Sequence, residues 1–141
     1  MITREDLRGY QDLLIEIDSL DAQIEGLYNT YHSPQWTDTG AQFHRDEDGP
    51  TMRALHRIDK LKKHRLELYQ LQNKIEDYVS GIDDPRERTI CRLHYLAGYS
   101  WQATCFQMRK HASAGMIIEH DRRYWERIEK QNQSEEETKS E

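Results

Sequence analysis

Between Leu96 and Trp125 the chain reads LAGYSWQATCFQMRKHASAGMIIEHDRRYW, and most of its chemistry-bearing side chains are cations. Arg109, Lys110, Arg122 and Arg123, with Arg127 and Lys130 just beyond, can neutralise phosphates. His111 and Ser113 can add hydrogen bonds at the start of the last helix, where a major-groove reader would enter DNA. Such a set binds a polyanion and does no covalent chemistry. Neither G-x-x-x-x-G-K nor G-x-S-x-G occurs, so no catalytic residue and no enzyme are expected. The histidines at 32, 44, 56, 64, 94, 111 and 120 form no H-x-x-x-H, and Cys91 and Cys105 form no C-x-x-C. Neither a metal site nor a cofactor is expected. Both cysteines read as small buried hydrophobes in a reducing compartment.

The charge distribution sets this segment apart. The whole chain of 141 residues carries a net charge of −6. Residues 86–130 hold 9 Lys and Arg against 5 Asp and Glu, whereas residues 1–85 hold 10 against 17 and residues 131–141 hold 1 against 4. A basic block between two acidic ones points to an anionic partner for one module. No apolar run reaches transmembrane length and no signal layout opens the chain, so a cytoplasmic protein without a membrane partner is expected.

Three stretches must position the basic segment. Hydrophobic residues make up 35% and charged residues 33%, which suits long helices with narrow apolar seams better than a thick core. Thr3 and Asp6 form a loose capping box. Tyr10, Leu13, Ile17, Leu20, Ile24, Leu27 and Tyr31 then alternate spacings of three and four, a heptad seam. Residues 32–50 lose the period around Pro34, Gly40 and Gly49-Pro50, and read as a mobile loop that its own Trp36 and Phe43 can dock. A second long helix starts at Pro50 or Thr51, with Leu61, Leu68, Ile75 and Ile82 every seventh residue and Ile58, Leu55, Leu71, Tyr78 and Val79 widening the stripe. Residues 1–31 are acidic and 51–80 basic, which favours pairing the two as an antiparallel hairpin over self-association, itself a further option.

The third stretch begins with Asp83, Asp84 and Pro85 as a helix start and ends at Gly98, a left-handed cap. Ser100 caps a short helix from Trp101 to about Met108, and a last helix runs from about Ser113 past Ile128. Trp101, Cys105 and Met108 face inward from the first of these, Ile117, Tyr124 and Ile128 from the second. His120 reads as a hydrogen-bonding core residue or a phosphate contact. This layout is a helix-turn-helix. Residues 131–141 hold no apolar side chain and read as a disordered acidic tail. The expected organisation is all-α: a hairpin over 1–82, a helix-turn-helix module over 83–130, and the tail.

Asp84, Pro85, Arg88, Arg92-Leu93-His94-Tyr95, Gly98, Ser100-Trp101 and His120-Asp121-Arg122 together resemble small phage-encoded regulators related to the RinA and ArpU late-gene activators. Their C-terminal half is similar to region four of bacterial sigma factors. The resemblance spans about residues 5–128 and implies a phage or prophage transcription regulator in a bacterial cell. The implied partners are DNA and RNA polymerase or another regulator. The chain departs from the pattern at Thr104-Cys105, where the family has Ile-Ala, and at Arg109-Lys110, where it has a turn glycine. Ser113, Ala114 and Gly115 at the start of the reading helix offer no bidentate contact to a base. Weak DNA binding by the isolated chain is therefore expected. The alternative is a helical protein-interaction module that has lost DNA reading.

Overall fold

The computed structural model describes residues 1–32, 50–108 and 113–141. The expected loop, with Trp36 and Phe43, falls mainly in 33–49 and lies outside the described residues. So does the turn at 109–112. Among the described residues every regular element is helical: α1 (Arg4–Arg8), α2 (Tyr10–His32), α3 (Pro50–Ser80), α4 (Pro85–Ile90), a π-helical turn (Cys91–Leu96), α5 (Trp101–Met108) and α6 (Ala114–Lys139). None of the described helices is long and apolar enough to cross a membrane.

The chain divides into two compact units, residues 12–72 and residues 1–11 with 73–141. The boundary expected at 82/83 is therefore displaced, because α1 and the end of α3 belong with the C-terminal helices. The sequence cannot show this. Beside the buried Leu7 of α1, polar residues tie this segment there, Arg4 of α1 and Gln11 at the start of α2, and these have no place in an apolar period.

In the unit of residues 12–72, the seam of α2 is buried at Leu13, Ile17, Leu20 and Ile24. On α3 the buried positions are Ala54 and Ile58, while Leu61 and Leu68 are half-buried. Polar links join the two helices. Arg65 donates to Asp21 at 2.7 Å, Lys62 donates to the Tyr28 hydroxyl at 2.7 Å, and His64 Nε2 stands 3.0 Å from Glu16. Arg65 lies seven residues beyond Ile58, on the apolar stripe itself. A cation there is accommodated by its carboxylate partner.

The other unit is built around α6. Thr3 and Asp6 close a reciprocal capping box at α1. Asp84 caps α4, with Pro85 in its first turn, and Ser113 caps α6 at Met116 N. α6 packs on α4 and α5, and α1 packs on the π turn. The core holds Leu7, Ile75, Val79, Ile90, Ile117 and Trp125, none more than 1% exposed. Trp101 stacks on His94 with ring centroids 3.6 Å apart and remains half-buried. On α5 the fully buried side chain is Thr104, with Cys105 and Met108 only half-buried.

Two local structures differ from the sequence expectation. The helix over 85–97 does not stay α-helical, because from Cys91 its turns widen to a π form, closed by Ala97 N donating to Arg92 O at 2.9 Å. The disordered tail expected over 131–141 is instead helical almost throughout, since α6 continues exposed to Lys139. Gln, Glu and Lys are good helix formers, and a cap and a packed first half remove the nucleation cost for the rest.

Gly98 ends the π turn with φ of 79°, in the left-handed region. Gln11 caps the same end, donating to the carbonyls of Leu96 at 2.6 Å and Tyr95 at 3.3 Å. A Cβ on Gly98 would sit 3.0 Å from the Gln11 side chain, whereas one on Gly115 in α6 would meet nothing within 4 Å. Gly98→Ala should therefore lower unfolding stability by about 1–2 kcal/mol. Gly115→Ala should raise it by up to about 1 kcal/mol, because it adds helix propensity without a clash. Urea denaturation of the two variants checks the opposite signs.

Candidate nucleic-acid interface and its buried support

α6 is two-faced because its apolar residues recur at helical spacing. Ile117, Tyr124 and Trp125 point inward, and Arg122, Arg123, Glu126, Arg127 and Lys130 are exposed or half-exposed. The exposed side does not use its cations equally. Arg122 is held by Glu119 and Glu126 of its own helix, and its pKa is raised mainly by the hydrogen bond to Glu119. Arg123 donates to Glu119 at 3.0 Å and stays 71% exposed. The Arg127 guanidinium stands 6.0 Å from the Tyr124 ring centroid.

A cleft runs along this face. Arg86, Arg123, Arg127 and Lys130 line it with Gly115 and Met116, and Glu119 and Glu126 on its wall are occupied by Arg122 and Arg123. Of the expected contact residues, the structure brings Arg123 and Arg127 together here and leaves Arg122 tied on the helix surface. Ser113 spends its hydroxyl on the cap of α6. Arg109, Lys110 and His111 lie outside the described residues. Arg86 was missed by the sequence reading because it sits in the first turn of α4, away from the basic run. Phe106, Met116 and Ile118, on α5 and the start of α6, are exposed apolar side chains at 80%, 56% and 40%.

α4 and α6 also enclose a cluster of buried acids. Asp121 and Glu87 have no solvent exposure. Asp121 Oδ2 accepts from the Tyr95 hydroxyl at 2.6 Å and from Arg4 Nη2 at 3.1 Å. Glu87 faces His120 Nδ1 at 2.9 Å and accepts from the Cys91 thiol at 3.4 Å. The other ring nitrogen of His120 lies 3.0 Å from Asp84. The His120 ring thus stands between the two carboxyl groups of α4. Burial, and then the nearness of Asp121, push the Glu87 carboxyl up to about 9. Burial also pushes the Cys91 thiol and the Tyr95 hydroxyl up.

The expectation for His120 as a hydrogen-bonding residue agrees with its place between α4 and α6. Glu87, Asp121 and Arg4 were missed. A signal existed for the two acids. Glu87 precedes Ile90 and Cys91 by three and four residues, and Asp121 lies four after Ile117 and three before Tyr124. Each is a carboxylate inside an apolar stripe.

No family model matches the chain, and no curated protein or solved structure matches it either.

Between the ordinary carboxylate range and about 9, folded Glu87 keeps a proton that the unfolded chain has lost. The folded state binds more protons there, so this group makes stability fall as pH rises through that window. Glu87→Gln has no such proton to lose. Its stability deficit against the parent chain, measured by urea denaturation with EDTA present, should shrink steadily from mildly acidic pH toward 9.

Proposed function

We propose that the chain is a DNA-binding regulator whose α4–α6 region acts as a helix-turn-helix, with an antiparallel hairpin over residues 1–82. The observation that carries this reading is the cleft along α6, where Arg86, Arg123, Arg127 and Lys130 gather on one side. Three cations along α6, with Arg86 of α4 beside them, suit the spaced phosphates of a duplex. Because the two wall carboxylates are taken up by Arg122 and Arg123, they oppose an incoming phosphate less than free acids would.

The resemblance to phage late-gene regulators supports the same reading and makes RNA polymerase a second partner, in the bacterial cytoplasm. The contact set is revised from the one expected. Arg86, Arg123, Arg127 and Lys130 meet phosphates, and Arg122 is a structural residue of the α6 surface. The first turn of α6 offers no bidentate base reader, so affinity is dominated by phosphate contacts and stays in the non-specific range, about 10⁻⁴–10⁻⁶ M at physiological salt.

One observation favours a protein-interaction module instead. Met116 and Ile118 are exposed where a reading helix would carry polar side chains, and Phe106 on α5 is exposed as well. Salt-titrated binding to duplex DNA separates the two readings. Arg127→Ala with Lys130→Ala should lower the slope of log K against log salt by about 0.9 for each phosphate no longer neutralised. Arg122→Ala should leave it close to the parent value. An unaltered slope in the folded double variant would reject the DNA reading in favour of the interaction module.

A further inference from the structure

Glu87 and Cys91 are one helical turn apart on the buried side of α4 and the π turn. α6 brings Asp121 against them. The three side chains offer one sulfur and two carboxylate oxygens within 4.8 Å of one another, all three residues buried. Hydrogen bonding accounts for only part of this arrangement. Asp121 Oδ2 is occupied by Tyr95 and Arg4, but Asp121 Oδ1 is fully buried and has no hydrogen-bond partner. A buried acceptor left bare is costly, and it asks for a proton or a cation.

We propose that Glu87, Cys91 and Asp121 bind one divalent transition-metal ion of the zinc type. The donor set is right for such an ion, because thiolate with carboxylate suits borderline-soft zinc and excludes magnesium and calcium, which take oxygen alone. The spacing is close. Cys91 Sγ and Glu87 Oε1 are 3.4 Å apart. Zinc bonds of about 2.3 Å to sulfur and about 2.0 Å to oxygen bring two tetrahedral donors to a similar separation. The Asp121 carboxylate, within 4.8 Å of both, closes the third corner by moving inward when the ion binds.

The surrounding groups suit bound ligands. His120 hydrogen-bonds Glu87 while Tyr95 and Arg4 hold Asp121, which is how outer partners orient metal-ligating carboxylates. Binding requires the Cys91 thiol to lose its proton to solvent as the metal–sulfur bond forms, and Glu87 releases the proton it holds in the metal-free chain. The ion then ties α6, which carries the basic cleft, to α4 and the π turn.

The test uses the full chain equilibrated with Co²⁺ and separately with Zn²⁺, then desalted. About one equivalent of Co²⁺ should be retained, with a thiolate-to-cobalt charge-transfer band in the near ultraviolet. Zn²⁺ should raise the melting temperature. Cys91→Ser, checked for folding by circular dichroism, should lose the band and the retained metal. Cys105→Ser should keep both, which assigns the band to Cys91 even if Cys91→Ser fails to fold. Three results would each overturn the site: no metal retained, in which case the carboxyls share only a proton; retention without a thiolate band, as from surface histidines; or disappearance of the band in Cys105→Ser.

Discussion

Burying Glu87 and Asp121 is the constraint on which the C-terminal unit depends. A carboxylate without water is tolerated only when donors or cations replace its hydration shell, and an unpaired one costs several kcal/mol. The compensating groups come from every side. Arg4 arrives from α1, Tyr95 from the π turn, and His120 from α6 with Asp84 behind it. A shift of α6 by one residue would strip both acids of their partners at once. The cluster therefore selects one register for the helix more sharply than the surrounding apolar contacts, which tolerate sliding far better.

The π turn belongs to the same solution. Glu87, Cys91 and Tyr95 follow at four-residue intervals. In an α-helix such a row drifts around the axis, whereas the wider turn from Cys91 lets Tyr95 stay with Glu87 and Cys91 on the side facing α6. Its far end leaves unpaired carbonyls, which Gln11 and the left-handed Gly98 dispose of. Residues 1–11 are thus a working part of the C-terminal unit, bound by polar contacts from Arg4 of α1 and Gln11 at the start of α2.

Holding α6 in one register also fixes what it presents outward. The buried edge takes Ile117, Asp121, Tyr124 and Trp125, and the opposite edge projects the basic row into the cleft beside Arg86. Within that row the acids decide which cations are free to act. Glu119 and Glu126 neutralise Arg122, so the charge left for a partner moves toward Arg127 and Lys130. At the start of the helix the exposed side chains are apolar, and this is where sequence discrimination would have to originate.

The helical composition, the caps and the seams follow from residue order alone, because these features are local or periodic. The Thr3–Asp6 box, the Asp84-Pro85 start, the Ser113 cap, the left-handed Gly98 and the apolar row from Tyr10 to Ile24 are all legible as residue types at fixed spacings. Which polar groups meet is settled by helix packing instead. Arg4 and Asp121 are 117 positions apart, and Glu87 and His120 are 33 apart. Pairing at that range follows from how helices cross, and the cost of a bare charge rather than any periodicity selects it. The same holds for Arg122 and Arg86. By type alone the first counts among the basic contacts and the second is passed over. Their surroundings reverse the order, since Arg122 is held between two carboxylates of its own helix while Arg86 lines the cleft.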